Sequence, residues 1–205
     1  MTPEEYLRDP CRASSLPFWK TEQTSLPPHM AVIRDDLFLP ERHRGADEPY
    51  FKLIHRLEDI GEPTLPEPFL LAPCDAEVLS AHINACYDRE GISPAALDAY
   101  RTHSVHDPAL WLAVTERGSG RIAASGIAEL DGRIGEGVLE WIQVSPGLRR
   151  RGLGRFVVCE LLRRMRGRAD FVTVSGRLNN PDAPMALYLS CGFTDPVIWH
   201  VVTEN

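Results

Sequence analysis

Residues 139–168 read LEWIQVSPGLRRRGLGRFVVCELLRRMRGR, and this stretch decides the fold. Leu139 to Val144 is apolar and β-branched enough to form a strand. Pro146 and Gly147 end it, because Pro lacks the N–H that a ladder needs and Gly accepts unusual dihedrals. From Gly152 onward Leu153, Phe156, Val157, Leu161, Leu162 and Met165 recur at helical spacing, so the chain turns into an amphipathic helix that can lie on a sheet. Arg163, Arg164, Arg166 and Arg168 crowd its last turns, where cations suit the helix dipole.

The turn between strand and helix carries the chemistry. Arg149, Arg150, Arg151, Gly152, Leu153, Gly154 and Arg155 end at a helix N-terminus, whose first N–H groups have no internal partner and attract anions. Gly152 and Gly154 have no Cβ, so a phosphate can approach the backbone, and the arginines add positive potential. A dinucleotide turn would want a third glycine where Val157 stands and an acid ending the next strand, whereas Asp170 precedes that strand. A phosphate-binding P-loop would need Gly-Lys-Ser/Thr, which is absent. Eight arginines against the single acid Glu160 over residues 149–168 would suit a nucleic-acid helix, but the helix has a buried stripe and the chain is acidic elsewhere.

The net charge is −7, and residues 1–75 supply most of it with 8 Lys/Arg against 14 Asp/Glu. That balance argues against nucleic acid as a partner and favours cationic substrates. The five cysteines (11, 74, 86, 159 and 191) are odd in number and form no C-x-x-C pair, which reads as reduced thiols in a cytoplasmic protein. Cys159 and Cys191 read as packing residues. No apolar run is long enough for a membrane span and no signal peptide is evident, so no membrane partner is expected. His29, His43 and His55 lack metal-ligand spacing, so no metal is expected.

Eleven of the 17 prolines fall in residues 1–73, which marks an N-terminal extension over residues 1–68. Thr2-Pro3-Glu4-Glu5 opens a short helix, and Leu16-Pro17-Phe18-Trp19 is an apolar knot that must pack on something. Residues 30–34 and 50–57 read as strands, and Glu62 to Pro68 as a stiff connector. Beyond it the reading is a buried strand (Phe69 to Ala72), then a helix capped by Asp75 with Val78, Leu79, Ile83 and Cys86 inward. A helix opened by Ser93-Pro94 follows, then strands at 110–115 and 121–130 joined by a glycine turn. After the arginine helix come a strand at 171–175, a loop at 176–181, a helix capped by Asp182 and ended by Gly192, and a strand at 197–202.

Arg149-x-x-Gly152-x-Gly154 after a Val-ending strand resembles the acyl-CoA signature of the GNAT superfamily of N-acetyltransferases. Asn180 followed by Leu187-Tyr188-Leu189-Ser190-Cys191-Gly192-Phe193 is similar to a second motif of that family, with Asn180 eight residues before Tyr188, one more than the usual interval. The resemblance covers about residues 69–203 and implies an α/β (α+β) fold: a mixed, mostly antiparallel sheet flanked by helices and splayed beside the central strand, with the catalytic domain at 69–205. It implies acetyl-CoA as cosubstrate, with pantetheine along Ile142, Gln143 and Val144 and pyrophosphate on Arg150 to Arg155, flanked by Arg149 and Asn180. The acceptor is then a primary amine, on a small molecule or a peptide, attacking the thioester directly; a homodimer stays open as a further partnership. Glu140 is the candidate base and lies four residues before Val144, on the same face unless a bulge intervenes; Glu136 is a weaker alternative. Tyr188 is the candidate acid for the departing thiolate. Trp141 and Trp199 read as core or pocket wall. The rival reading is a non-catalytic acyl-CoA sensor or interaction module.

Overall fold

The computed structural model describes residues 1–43, 45–73, 75–87 and 91–204. Cys74, included above among the reduced thiols, lies outside the described residues. Three short helices come first: α1 (Pro3–Arg8), α2 (Pro10–Ala13) and α3 (Phe18–Thr21). Thr2 and Glu5 close a reciprocal capping box on α1, as the opening tetrapeptide predicts. Strands β1 (Met30–Arg34) and β2 (Ala46–His55) follow, then β3 (Phe69–Ala72), α4 (Ala76–Cys86), α5 (Pro94–Tyr100), β4 (Trp111–Glu116), β5 (Ile122–Asp131) and β6 (Glu136–Val144). Helix α6 (Leu153–Met165), β7 (Phe171–Arg177), α7 (Pro184–Ser190) and β8 (Thr194–Thr203) complete the described chain.

All eight strands form one sheet in the order β1-β8-β2-β7-β6-β5-β4-β3. Each neighbouring pair is antiparallel except β6 and β7. The sheet therefore crosses the compositional boundary near residue 68, with β2 seated between β7 and β8. Alternation along β2 separates the two faces. Phe51 and Leu53 join the core beneath α6, with Val157, Leu161 and Tyr188; Ile54 joins Tyr6, Phe18 and Trp199 beneath the N-terminal helices. Helices α4 and α5 cover the other half of that second face through Leu79, Ile83 and Leu97.

Four local expectations are corrected. The strand at 69–72 is an edge strand, buried only at Phe69, because among the described residues no strand pairs with its outer side. Asp75 does cap α4, accepting from the Val78 N–H at 2.8 Å, but Val78 is 43% exposed; Leu79 and Ile83 do the burying. Gly176 and Arg177 continue β7 rather than starting a loop, because β2 pairs with them. Asp182 does not cap α7: Ala183 holds the cap position with φ 48°, and the Asp182 carboxylate is taken by Arg149 at 2.6 Å.

Candidate active site

Strands β6 and β7 pair only from Glu136–Phe171 to Leu139–Val174, and beyond that point they part. The parting opens a cavity of about 910 Å³. Its walls include Ile142, Gln143 and Val144 from β6, Arg149, Arg150, Gly152, Gly154 and Arg155 from the turn and α6, and Asn180, Leu187 and Ser190 from the α7 side. Most of the sequence-predicted cofactor residues are thus brought together. Arg151 and Leu153 are not among the wall residues. The Arg151 guanidinium lies 5.6 Å from the Phe69 ring, and Leu153 is buried in the core.

The turn is built for an anion. Arg150 and Gly152 both have positive φ, 64° and 84°, the left-handed backbone from which anion nests are made. Gly152 is the N-cap of α6 and supplies no capping side chain, which leaves the helix's first N–H groups available. A Cβ at Gly152 would meet only Pro66, at 3.5 Å. Gly154 has a second reason to lack a Cβ, which would lie 3.1 Å from a Leu187 methyl, so that side chain of α7 would have to give by a few tenths of an ångström. Arg149 donates to the Val144 carbonyl at 3.3 Å as well as pairing with Asp182, and Arg155 donates to the Ser190 carbonyl. These arginines fix the cavity walls to one another. The Asn180 side-chain oxygen accepts from the Asp182 N–H at 2.9 Å and shapes the loop before α7.

Gln143 extends the wall into a directional chain. Ser145 donates to the Ile122 carbonyl, so it accepts from His82 Nε2; His82 Nδ1 then accepts from Ser125, which accepts from Gln143 Nε2. Burial pushes His82 down to about 4, so it stays neutral in this chain. Gln143 Oε1 is buried with no hydrogen-bond partner among the described residues, an acceptor of the kind that suits an amide N–H. An anion nest, free helix N–H groups and this acceptor fit the phosphates and amides of acyl-CoA.

The candidate base stands on the other side of the sheet. Ile127 pairs with Trp141 and Ala128 with Leu139, so Glu140 is the extra residue of a β-bulge. Leu139, Ile142 and Val144 pack toward α6, whereas Trp141 packs with α4 and α5. Glu140 forms an ion pair with Lys20 of α3 and therefore does not share the face of Val144. Together with Leu16, Pro17, Lys20 and Thr173 it lines a second pocket of about 150 Å³ at the same parting.

Glu136 offers no base. It is fully buried and accepts from Tyr6 Oη at 2.6 Å, Phe18 N at 2.9 Å and Thr173 Oγ1 at 2.7 Å. Lys52, 1% exposed, donates to Tyr6 Oη and to the carbonyls of Pro10, Ser14 and Leu16, all within 3.0 Å. The chain Lys52–Tyr6–Glu136 thereby fastens the N-terminal segment to the sheet. Burial pulls Lys52 down to about 8.

Tyr188 is buried, with its ring 6.1 Å from Phe51 and 5.6 Å from Phe193, and burial raises its pKa so that the phenol stays protonated. It is not among the cavity-wall residues; Ala186, Leu187 and Ser190 of its helix are. Sequence reasoning missed Tyr87, which lines the cavity and donates to the Ile142 carbonyl at 3.2 Å. It also missed Glu129, whose buried carboxylate accepts from Trp19 Nε1 at 3.0 Å and is pushed up to about 8 by burial and by the charge of Glu140. An acid three residues after Gly126, between the apolar Ala128 and Leu130, was the available signal.

Residues 76–193 match the model of the Acetyltransferase (GNAT) family. The chain belongs to that family. The solved structures similar to this GNAT chain are distant in sequence and speak to the fold. A GCN5-related N-acetyltransferase from Sphaerobacter thermophilus is 18% identical with a TM-score of 0.67, over 98% of this chain and 65% of its own. The GNAT chain thus spans slightly less than two thirds of that relative's length. A putative GNAT-family acetyltransferase from Novosphingobium aromaticivorans is 18% identical with a TM-score of 0.54, over 89% of this chain and 70% of its own. A GCN5-related N-acetyltransferase from Kribbella flavida is 17% identical with a TM-score of 0.54, over 86% and 68%. No curated protein matches the sequence. Among the described residues no helix is long and apolar enough to cross a membrane, and no His/Cys/Asp/Glu cluster could hold a metal ion.

Proposed function

We propose that this GNAT-family chain transfers an acetyl group from acetyl-CoA to a primary amine, by direct attack within a ternary complex. The observation that carries the reading is the parting of β6 and β7 after Leu139–Val174, with an anion-binding turn on one side and a carboxylate pocket on the other. The thioester supplies an activated acyl group, and this chain's residues do the rest. The α6 N-terminus and Arg150 hold phosphate; Gln143 Oε1 and the β6 backbone orient the pantetheine arm. Glu140, at its bulge, takes the proton that the attacking amine must lose, and Tyr188 is the donor for the departing thiolate. Holding both substrates together removes the entropic cost of their meeting. In the same reading residues 69–205 carry the transferase chemistry, and residues 1–68 add β1 and β2 to its sheet and Leu16, Pro17 and Lys20 to its acceptor side.

Calorimetry with acetyl-CoA and single-turnover transfer to a panel of primary amines test this. Micromolar or tighter binding is expected. Tyr188→Phe, which keeps the packed ring, should slow transfer by about 10²-fold with little change in acetyl-CoA affinity, the signature of an interaction made in the transition state. Glu140→Gln should slow transfer most at low pH, where the amine most needs a base. Binding without transfer to any amine would leave an acyl-CoA sensor, and no binding would remove the reading altogether.

A further inference from the structure

Arginine supplies nearly all of the positive charge of this chain: of 22 Lys and Arg residues, only Lys20 and Lys52 are lysines. Their ε-amines are in unlike places. Lys52 is enclosed, with four oxygen acceptors around its Nζ and no route to a substrate. Lys20 is about a quarter exposed, lines the 150 Å³ pocket where β6 and β7 part, and sits on the carboxylate of Glu140. It is held there from two sides. The neighbouring Trp19 is buried and donates to Glu129, and Thr21 Oγ1 donates to the Phe18 carbonyl to close the short helix.

A primary amine on an alkyl stem, paired with the proposed base in the pocket at the β6–β7 parting, is a candidate acceptor. We infer that Lys20 is a modification site, acetylated by the active site of its own chain. The inference rests on the acetyl-transfer reading above. In the step, the Lys20 ammonium gives one proton to Glu140, and the neutral Nζ attacks the thioester carbonyl carbon. The C–N bond forms, the C–S bond breaks, the second nitrogen proton goes to the leaving thiolate, and the proton on Glu140 passes to water. The products are Nε-acetyl-Lys20, free CoA and one proton.

Burial works to lower the pKa of Lys20, but Glu140 on β6 and Glu129 on β5 outweigh it and hold the amine above its ordinary value. Tyr100 of α5 faces the same site. The first proton transfer is therefore uphill, and tethering has to offset it by raising the effective concentration of the nucleophile. Acetylation would remove the charge that pairs with Glu140 and leave that carboxylate open to an external amine.

Purified full-length protein incubated with acetyl-CoA should gain the mass of one acetyl group, mapped by proteolysis and mass spectrometry to Lys20, with Lys52 unmodified. The rate constant should not change when the protein is diluted, should fall about tenfold or more in Glu140→Gln, and should be zero at this position in urea-unfolded protein. Lys20→Arg should take up no acetyl group while still binding acetyl-CoA. If calorimetry shows acetyl-CoA bound and Lys20 stays unmodified, this inference is overturned and the acetyl-transfer reading stands. A rate that scales with protein concentration, or that is as fast in the Gln variant or in the unfolded chain as in folded wild type, overturns it as well. No acetyl-CoA binding would remove both.

Discussion

The parting of β6 and β7 opens toward two walls made of different materials. On the α6 and α7 side the wall is backbone N–H groups, glycines and arginines around some 910 Å³, a surface able to receive a phosphate chain. On the other side the pocket is about 150 Å³, and its wall is a carboxylate, an ammonium and the apolar residues Leu16 and Pro17 of the N-terminal segment. The anion-facing part of the first wall is local: one turn and one helix N-terminus supply Arg149, Arg150, Gly152, Gly154 and Arg155, and β6 and the α7 side supply the rest. The second is assembled from residues more than a hundred positions apart, such as Lys20 with Glu140 and Trp19 with Glu129. A phosphate-bearing cofactor can be held by a portable local motif, whereas the proposed acceptor side is this chain's own construction.

Breaking the fastening of the second wall should have the largest effect. Lys52→Met leaves Glu136 as a buried carboxylate without its cation and deprives three carbonyls of a donor, a loss of about 3–5 kcal/mol by analogy with severed buried ion pairs. Urea unfolding would measure it; a change below about 1 kcal/mol would show that the N-terminal segment is held by its apolar contacts alone. The first wall should respond in affinity instead. Gly152→Ala places a side chain at φ 84°, in a conformation that costs an L-residue about 1–2 kcal/mol, and crowds the anion nest. Acetyl-CoA binding should weaken by about tenfold, and unchanged binding would move the phosphate site elsewhere.

The last effect is a pH slope. Glu129 titrates near 8 in the folded chain against an ordinary value of 4.5, so the folded state binds the extra proton. Its contribution is fully present below about pH 4.5 and is lost as pH rises toward 8, by at most about 1.4 kcal/mol per pH unit. Lys52, lowered to about 8 from 10.5, acts oppositely: the unfolded state binds more protons, so stability recovers between 8 and 10.5. Thermal unfolding followed against pH should show a dip near 8, and Glu129→Gln should flatten its acid side. A monotonic profile in wild type would contradict this.

The sequence revealed the first wall far better than the second, for a physical reason. The spacing of Gly152 and Gly154, the stripe from Leu153 to Met165 and the proline and glycine stops are local signals, and local geometry obeys them. Glu140 was legible as a residue of interest but not in its direction, because its bulge is set by how β6 registers on β5. Asp182 looked like a cap until Arg149, 33 positions earlier, claimed its carboxylate. Lys20, Tyr87 and Glu129 carry no motif; what makes them part of a site is the company that the fold gives them.

The placing of β2 has a consequence for how the chain comes into being. Its residues 46–55 leave the ribosome early, yet the strands on both its edges, β7 and β8, end only at residues 177 and 203. At ordinary synthesis speeds of about 5–20 residues per second, a strand carrying Phe51, Leu53 and Ile54 waits on the order of ten seconds with neither edge paired. During that interval the strand is open to other chains. Newborn protein should therefore depend on chaperones, and aggregate under rapid overexpression, far more than the stability of the finished sheet would suggest.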